Sequence, residues 1–335
     1  MRTKDFLIIG IFLGTALFAF IFSEVGGPTY TEDSESFNRD YWQHALHIRG
    51  SQDAYQEFLK KNSEAPAVRQ HTASHIMGEL LFDIEGKEGI RYCDSSFGFG
   101  CYHGLFSIAL ASESVSAISE FDRLCVEIYG PLGTGCQHGI GHGIMEFVGG
   151  DRVTEALELC KKTTQVATLL GCSSGVFMEY FTPLAGAGRL ETPKSREIDL
   201  KHPHEPCPST DPTFQDSCYF ELGQSYGTRL PNQHEKQNEL CSLVENNRFR
   251  DRCYMGLGLI ASPLSGYDFD SVVSVCGVMR EGEGACRAGA AWSFYSNPET
   301  RSQARSVCAN PDAAKQQFCI NLSDLTEGLE GKTQL

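Results

Sequence analysis

The chain has no Cys-x2-Cys pair, no His-Glu-x-x-His, no Gly-x-Ser-x-Gly and no phosphate-binding loop. The first absence excludes thioredoxin-like redox chemistry, zinc ribbons and covalent c-type haem attachment. The others set aside zincin proteases, serine-elbow hydrolases and P-loop nucleotide binding. The glycine-rich runs GFGCYHG and GTGCQHG follow no strand pattern, so neither is a nucleotide fingerprint. Positive charge is also scarce, with 28 Lys+Arg against 43 Asp+Glu and a formal net charge of −15. Nucleic-acid binding needs a basic face, which this chain lacks. Anionic lipid is a poor partner for its folded part for the same reason. With 34 Gly and 13 Pro in 335 residues, glycine and proline are too few and too irregular for collagen or a low-complexity tail. What remains, at 41% hydrophobic and 21% charged, is the composition of a folded globular chain.

The N-terminus carries residues 6–22, FLIIGIFLGTALFAFIF, a run of 17 uncharged, mostly apolar residues behind Arg2 and Lys4. Its length sits at the lower limit for a membrane span, and small residues suited to signal cleavage are poorly placed after it. Residues 1–23 therefore read as an uncleaved anchor, with a cleaved signal segment, and hence a secreted protein, as the alternative. The positive flank keeps the N-terminus inside and sends the rest to the extracytoplasmic or periplasmic side. An even number of cysteines, 14, fits an oxidising compartment.

Those cysteines fall into seven close pairs: Cys93/Cys101, Cys125/Cys136, Cys160/Cys172, Cys207/Cys218, Cys241/Cys253, Cys276/Cys286 and Cys308/Cys319. The step from one pair to the next is 24, 24, 35, 23, 23 and 22 residues. The resulting period, near 35, is the length of a two-helix repeat. Short helical patterns such as DRVTEALELC lead into the first cysteine of a pair. Small, apolar stretches such as CQHGIGHGIMEF follow the second. Helix A is expected to end at the first cysteine and helix B to begin at the second. Spacing alone does not fix disulfide connectivity, but nearest-neighbour pairing treats all units alike and suits units that contact only their neighbours. Five of the seven units carry glycine three places after the second cysteine (Gly104, Gly139, Gly175, Gly256, Gly289). Glycine costs about 1 kcal/mol inside a helix, so close helix packing is its expected role.

Two-helix units of this length, closed by spacings such as Cys93-DSSFGFG-Cys101, resemble the cysteine-rich Sel1-like repeats, relatives of the tetratricopeptide family. The resemblance rests on architecture over about residues 50–325 and implies an α-solenoid. It carries over no catalytic residue. The fold expected is all-α, a solenoid of about eight two-helix repeats, most stapled by an intra-repeat disulfide. Residues 24–49 form a linker and N-terminal cap, 50–325 the repeat domain, and 326–335 a frayed tail.

Counting back 24 residues from Cys93 reaches Arg69, so residues 50–92 read as a first unit without cysteines. Its helix A is QDAYQEFL and its helix B starts near Ala67. In this register His71 and His75 of unit 1 align with His138 and His142 of unit 3, two and six places after the second cysteine. Glu79 and Glu146 follow ten places on, and His103 of unit 2 shares the first position. His-x3-His-x3-Glu thus occurs twice at equivalent places, on one helix face. Two imidazoles one turn apart can share a metal ion. His71, His75, His103, His138 and His142, with Glu79 and Glu146 as ligands or bases, form the candidate site. Zinc, iron or copper suits such donors, and either hydrolysis or iron chemistry would be open to them. Later units hold Ser174/Met178, Phe220/Gln224, Met255/Leu259 and Ala288/Trp292 at these positions, which confines the site to the N-terminal half. The insertion before Cys207, with His202 and His204, is a surface loop or a cover for the stripe. The alternative to a metal site is a metal-free scaffold that binds a protein or peptide along a concave face lined by Tyr180, Phe181, Tyr226 and Trp292.

Overall fold

The computed structural model describes residues 38–130, 134–183, 196–297 and 299–330. The anchor expected over residues 1–23 lies outside them. No helix among the described residues is long and apolar enough to cross a membrane. The described chain is all-α, with no β-strand. A cap helix, α1 (Arg39–Arg49), precedes eight repeat units, six of them with two α-helices. Unit 1 is α2 (Ser51–Asn62) and α3 (Ala67–Glu85), beginning where the cysteine-free register places them. Unit 2 has the single α-helix α4 (Gly100–Glu113), preceded by a 3-10 helix over Gly86–Tyr92 and the loop of residues 93–99. Unit 3 is α5 (Ile118–Tyr129) and α6 (Thr134–Val148), and unit 4 is α7 (Val153–Cys160) and α8 (Cys172–Phe181). Unit 5 again has one α-helix, α9 (Gln215–Arg229), since Cys207 lies in a short 3-10 turn rather than at a helix end. Units 6 to 8 are α10 (His234–Ser242) with α11 (Asn247–Leu264), α12 (Phe269–Val278) with α13 (Glu283–Ser296), and α14 (Ala304–Val307) with α15 (Ala313–Glu330).

All 14 cysteines pair with their nearest neighbours. The disulfides are Cys93–Cys101, Cys125–Cys136, Cys160–Cys172, Cys207–Cys218, Cys241–Cys253, Cys276–Cys286 and Cys308–Cys319, with Cα–Cα distances of 5.4 to 5.7 Å. Seven disulfides fit an oxidising environment.

The cysteines do not, however, mark the helix ends as expected. Cys172 does begin α8 and Cys160 does end α7. Elsewhere the second cysteine of a pair lies inside helix B. Cys101 and Cys136 sit just inside α4 and α6, and Cys218 and Cys286 close the first turns of α9 and α13. Cys253 and Cys319 stand almost two turns into α11 and α15. Likewise Cys125 and Cys276 precede the last residues of α5 and α12, and Cys241 precedes the last residue of α10. Cys308 follows α14. The reason is that local caps and lead-in turns set the boundaries. The Asn246 side chain starts α11 by accepting from the backbone N–H groups of Arg248 and Phe249. Asp312 does the same for α15 through Ala314 and Lys315. Asp211 caps the 3-10 turn that runs into α9, and a 3-10 turn over Arg280–Gly282 runs into α13. Helix α15 continues to Glu330, into the segment expected to be a frayed tail.

The two helices of a unit differ as their sequences require. Helix α5 is amphipathic: it buries Ile118, Phe121, Leu124 and Cys125 and exposes Glu120, Arg123 and Glu127. B helices such as α4 and α13 are small and apolar on nearly every side and lie inside. They pack in chain order, α3 on α4, α4 on α6, and so on to α15, and α3 also touches α11. The row therefore coils back on itself, and most of the stripe positions of units 1 to 7 face inward, whereas Asn321 of unit 8 is exposed. His75, His103, His138, His142, Ser174, Phe220, Gln224, Met255, Ala288 and Trp292 are all buried. Phe220 of unit 5 and Trp292 of unit 7 stack with ring centroids 5.7 Å apart, and Met255 joins them in an apolar cluster. The aromatics expected along an open groove are enclosed as well. Phe181, Tyr226 and Trp292 are buried, and Tyr180 is half-buried under the Arg196 guanidinium.

The repeated glycines set the helix spacing. A Cβ on Gly104 would lie 2.0 Å from the His75 carbonyl oxygen, and one on Gly175 would lie 1.9 Å from that of His138. Only hydrogen fits there, so adjacent B helices touch backbone to backbone. That contact brings side chains of neighbouring units within one ligand shell of each other.

Candidate metal centre

The first histidine pair stands at the start of α3, behind Pro66. Gln70 secures the turn before it by donating from Nε2 to the Asn62 and Ser63 carbonyls, at 2.9 and 2.8 Å. His71 is half-buried there, and His75 follows one turn on. The loop inside the Cys93–Cys101 disulfide folds over His71. Phe97, Gly98 and Phe99 all take left-handed backbone conformations, with φ of 53°, 65° and 65°. That geometry costs the two phenylalanines about 1–2 kcal/mol each. It aims the Phe97 carbonyl at His71 Nδ1, 2.9 Å away. The N–H of His71 is thereby fixed on Nδ1, and its Nε2 lone pair points inward. The GFG run is thus a wrap around a histidine.

Five imidazoles form one continuous row. His71 Nε2 lies 3.2 Å from His75 Nε2 and 3.3 Å from His103 Nδ1. Three nitrogens bound to one ion at 2.0–2.1 Å in tetrahedral geometry lie about 3.3–3.4 Å apart. The first triad, His71, His75 and His103, already has that spacing on the two edges that meet at His71. Two donors also converge there on a single ring lone pair, which can accept only one good hydrogen bond. His103 stacks on His142 with centroids 3.9 Å apart, and His138 lies 4.9 Å from His142. Each triad, the second being His103, His138 and His142, keeps its donor nitrogens within 4.8 Å of one another.

Protonation favours ligation throughout. Burial pushes all five imidazoles below their ordinary value, His138 to about 3, and neighbouring histidines lower His75, His103 and His142 further. The row is therefore neutral at neutral pH, the form that binds metals. His103 Nε2, His138 Nδ1 and His142 Nε2 are buried with no hydrogen-bond partner. Such atoms cost about 1–3 kcal/mol each when nothing satisfies them. Here the three come from the three residues of one triad. These two histidine groups could each hold a metal ion.

The carboxylates are arranged differently from the repeat pattern. Glu79 is buried but meets Arg39 of the cap helix at 2.6 Å, and Asp83 meets the same guanidinium at 2.8 Å. Glu146 is half-buried and, like Glu79, lies outside both triads. The carboxylate that does reach the row is Glu179 of α8, buried, which accepts from His142 Nδ1 at 3.3 Å. That bond fixes the N–H on Nδ1 and leaves Nε2 for a ligand, the usual outer-shell arrangement of a metal-bound histidine. Glu179 sits seven places after Cys172, outside the positions that the register compares. The available signal was a charge within the otherwise apolar segment CSSGVFMEYF. Glu221 is a second carboxyl of this kind. It is buried between Ser174 and Gln224, both of which donate to it, and burial pushes its pKa up to about 8. His204 turns away to the Leu240 carbonyl at 2.8 Å, and His202, His44 and His47 are exposed.

Comparisons with protein families, with curated proteins and with solved structures return no match to this chain.

Proposed function

We propose that the chain is a metal-binding protein of an oxidising, extracytoplasmic compartment, tethered to the membrane by residues 6–22. His71, His75, His103, His138 and His142 are the ligands. The Phe97 carbonyl and the Glu179 carboxylate orient two of them from behind. The observation that carries this reading is the trio of buried, unpartnered ring nitrogens on His103, His138 and His142. Buried polar groups are almost always hydrogen-bonded, and a shared ligand accounts for three exceptions at one place. An all-imidazole donor set suits zinc and copper. Of the carboxyls, Glu79 and Glu146 lie elsewhere and Glu179 backs His142 from Nδ1, so the donors of the two triads are all imidazole. Ligands this deeply enclosed fit a structural or electron-transferring ion better than a site open to substrate. An ion in either triad would also join two neighbouring units, which no disulfide does.

The test is metal content. The full-length chain is purified in detergent under oxidising conditions and assayed by inductively coupled plasma mass spectrometry. Bound zinc or copper is expected at close to stoichiometric amounts, with a clear loss in the His138→Ala/His142→Ala variant. A wild-type protein that is empty and refuses added zinc, copper and iron would overturn the reading.

A further inference from the structure

We propose that His103 bridges two metal ions through its two ring nitrogens. The proposal rests on the metal-binding reading and adds the number of ions and the way they are linked. His103 is the one residue common to both triads. Two ions with three nitrogen ligands each need six nitrogens, and the row has five residues. The count closes only if one imidazole serves twice, and the shared residue is in the middle of the row. Units 1 and 3 each contribute two histidines, whereas unit 2 contributes one and has Ser107 at the second position. The two nitrogens of His103 also differ in what they meet. Nδ1 faces the first triad, 3.3 Å from His71 Nε2, and Nε2 is buried with no partner.

The two outer sides match each other. On one, the Phe97 carbonyl takes the Nδ1 proton of His71 as a hydrogen bond; on the other, the Glu179 carboxylate does so for His142. Each triad therefore holds one outer histidine with its Nε2 pre-set for ligation. Bridging requires His103 to lose its single ring proton. Two metal–nitrogen bonds form on that ring, one N–H bond breaks, and the proton passes to solvent. The resulting imidazolate and the buried Glu179 carboxylate supply two negative charges against the ions, which offsets part of the cost of burying them. Ions on the two nitrogens of one imidazolate, each bonded at about 2.0 Å, lie about 6 Å apart.

The experiment is a titration of the chelator-treated full-length chain in detergent with Cu(II), followed by electron paramagnetic resonance and by proton release. Saturation is expected at two ions per chain. The second equivalent should weaken the spin signal through coupling across the bridge instead of doubling it, and should release one further proton. His75→Ala and His142→Ala should each bind one ion with an uncoupled signal. His103→Gln should abolish the coupling and weaken both sites by tenfold or more, with circular dichroism confirming that it folds. Saturation at one ion overturns the bridge but leaves a metal protein, as do two ions that never couple. No binding at all overturns the metal reading itself.

Discussion

The neutral, enclosed histidine row should make the metal-free protein sensitive to mild acid. Each of the five imidazoles has a folded pKa below its ordinary value, with His138 at about 3. The unfolded chain takes up a proton at each below about pH 6.5, and the folded chain does not. Their contribution is thus fully present above about pH 6.5 and is lost as the pH falls. Between pH 7.5 and 5.5 His138 alone removes roughly 1.4 kcal/mol, and His71, His75, His103 and His142 act in the same direction. Glu221 works in the opposite direction. Its carboxyl is raised to about 8, so acid favours its neutral folded form, and over the same window it returns about 2–3 kcal/mol. The five histidines together outweigh this single carboxyl, so acid destabilises the metal-free fold on balance, against an ordinary folding stability of about 5–15 kcal/mol. The assay is urea unfolding of the chelator-treated, disulfide-intact chain at pH 7.5, 6.5 and 5.5, read by circular dichroism. The midpoint should fall steeply below pH 6.5, and added zinc at pH 7.5 should raise it. A midpoint that is flat across this window would refute the account of five enclosed, neutral imidazoles.

Glu221→Gln removes a carboxyl that the fold must keep neutral, so its stability relative to wild type should rise by about 4 kcal/mol between pH 4.5 and 8; thermal unfolding at the two pH values measures this. Gly175→Ala places a methyl 1.9 Å from the His138 carbonyl and should cost about 1–3 kcal/mol, with weaker metal retention because α8 carries Glu179 away from His142. Gly277→Ala is the control: its Cβ meets nothing within 4 Å, so it should be neutral or stabilise by up to about 1 kcal/mol. Replacing Cys160 and Cys172 together by serine opens a short loop and should cost about 2–3 kcal/mol in denaturant unfolding.

The repeat array could be read from the chain because cysteine spacing and the small, apolar B segments recur in register. Helix ends were less legible. A disulfide needs only two Cβ atoms within reach, so Cys136, Cys218, Cys286 and Cys319 pair correctly while their helices start earlier, at caps and lead-in turns. The convergence of His71, His75, His103, His138 and His142 was legible for the same reason as the array. Equivalent positions on stacked B helices face a common interior, and glycines such as Gly104 and Gly175 draw the backbones together. The carboxylates were not legible. Glu79 obeys the repeat, but Arg39 belongs to the cap helix outside it, and that ion pair spans 40 residues that no register relates. Glu179 falls between the compared positions, and its role comes from the contact of α8 with α6. The Phe97 carbonyl was equally hidden, since the left-handed conformations that aim it leave only a pair of glycines as a trace. The interior is also filled where the scaffold alternative needs an open concave face, because the later stripe residues Phe220, Met255 and Trp292 pack on one another.

X-ray absorption spectroscopy on the metal-loaded full-length chain tests the central claim most directly. The account predicts a first shell of nitrogen at about 2.0–2.1 Å with the multiple-scattering signature of imidazole, and no sulfur, since every cysteine is in a disulfide. A sulfur shell near 2.3 Å, or an oxygen shell without imidazole scattering, would contradict it.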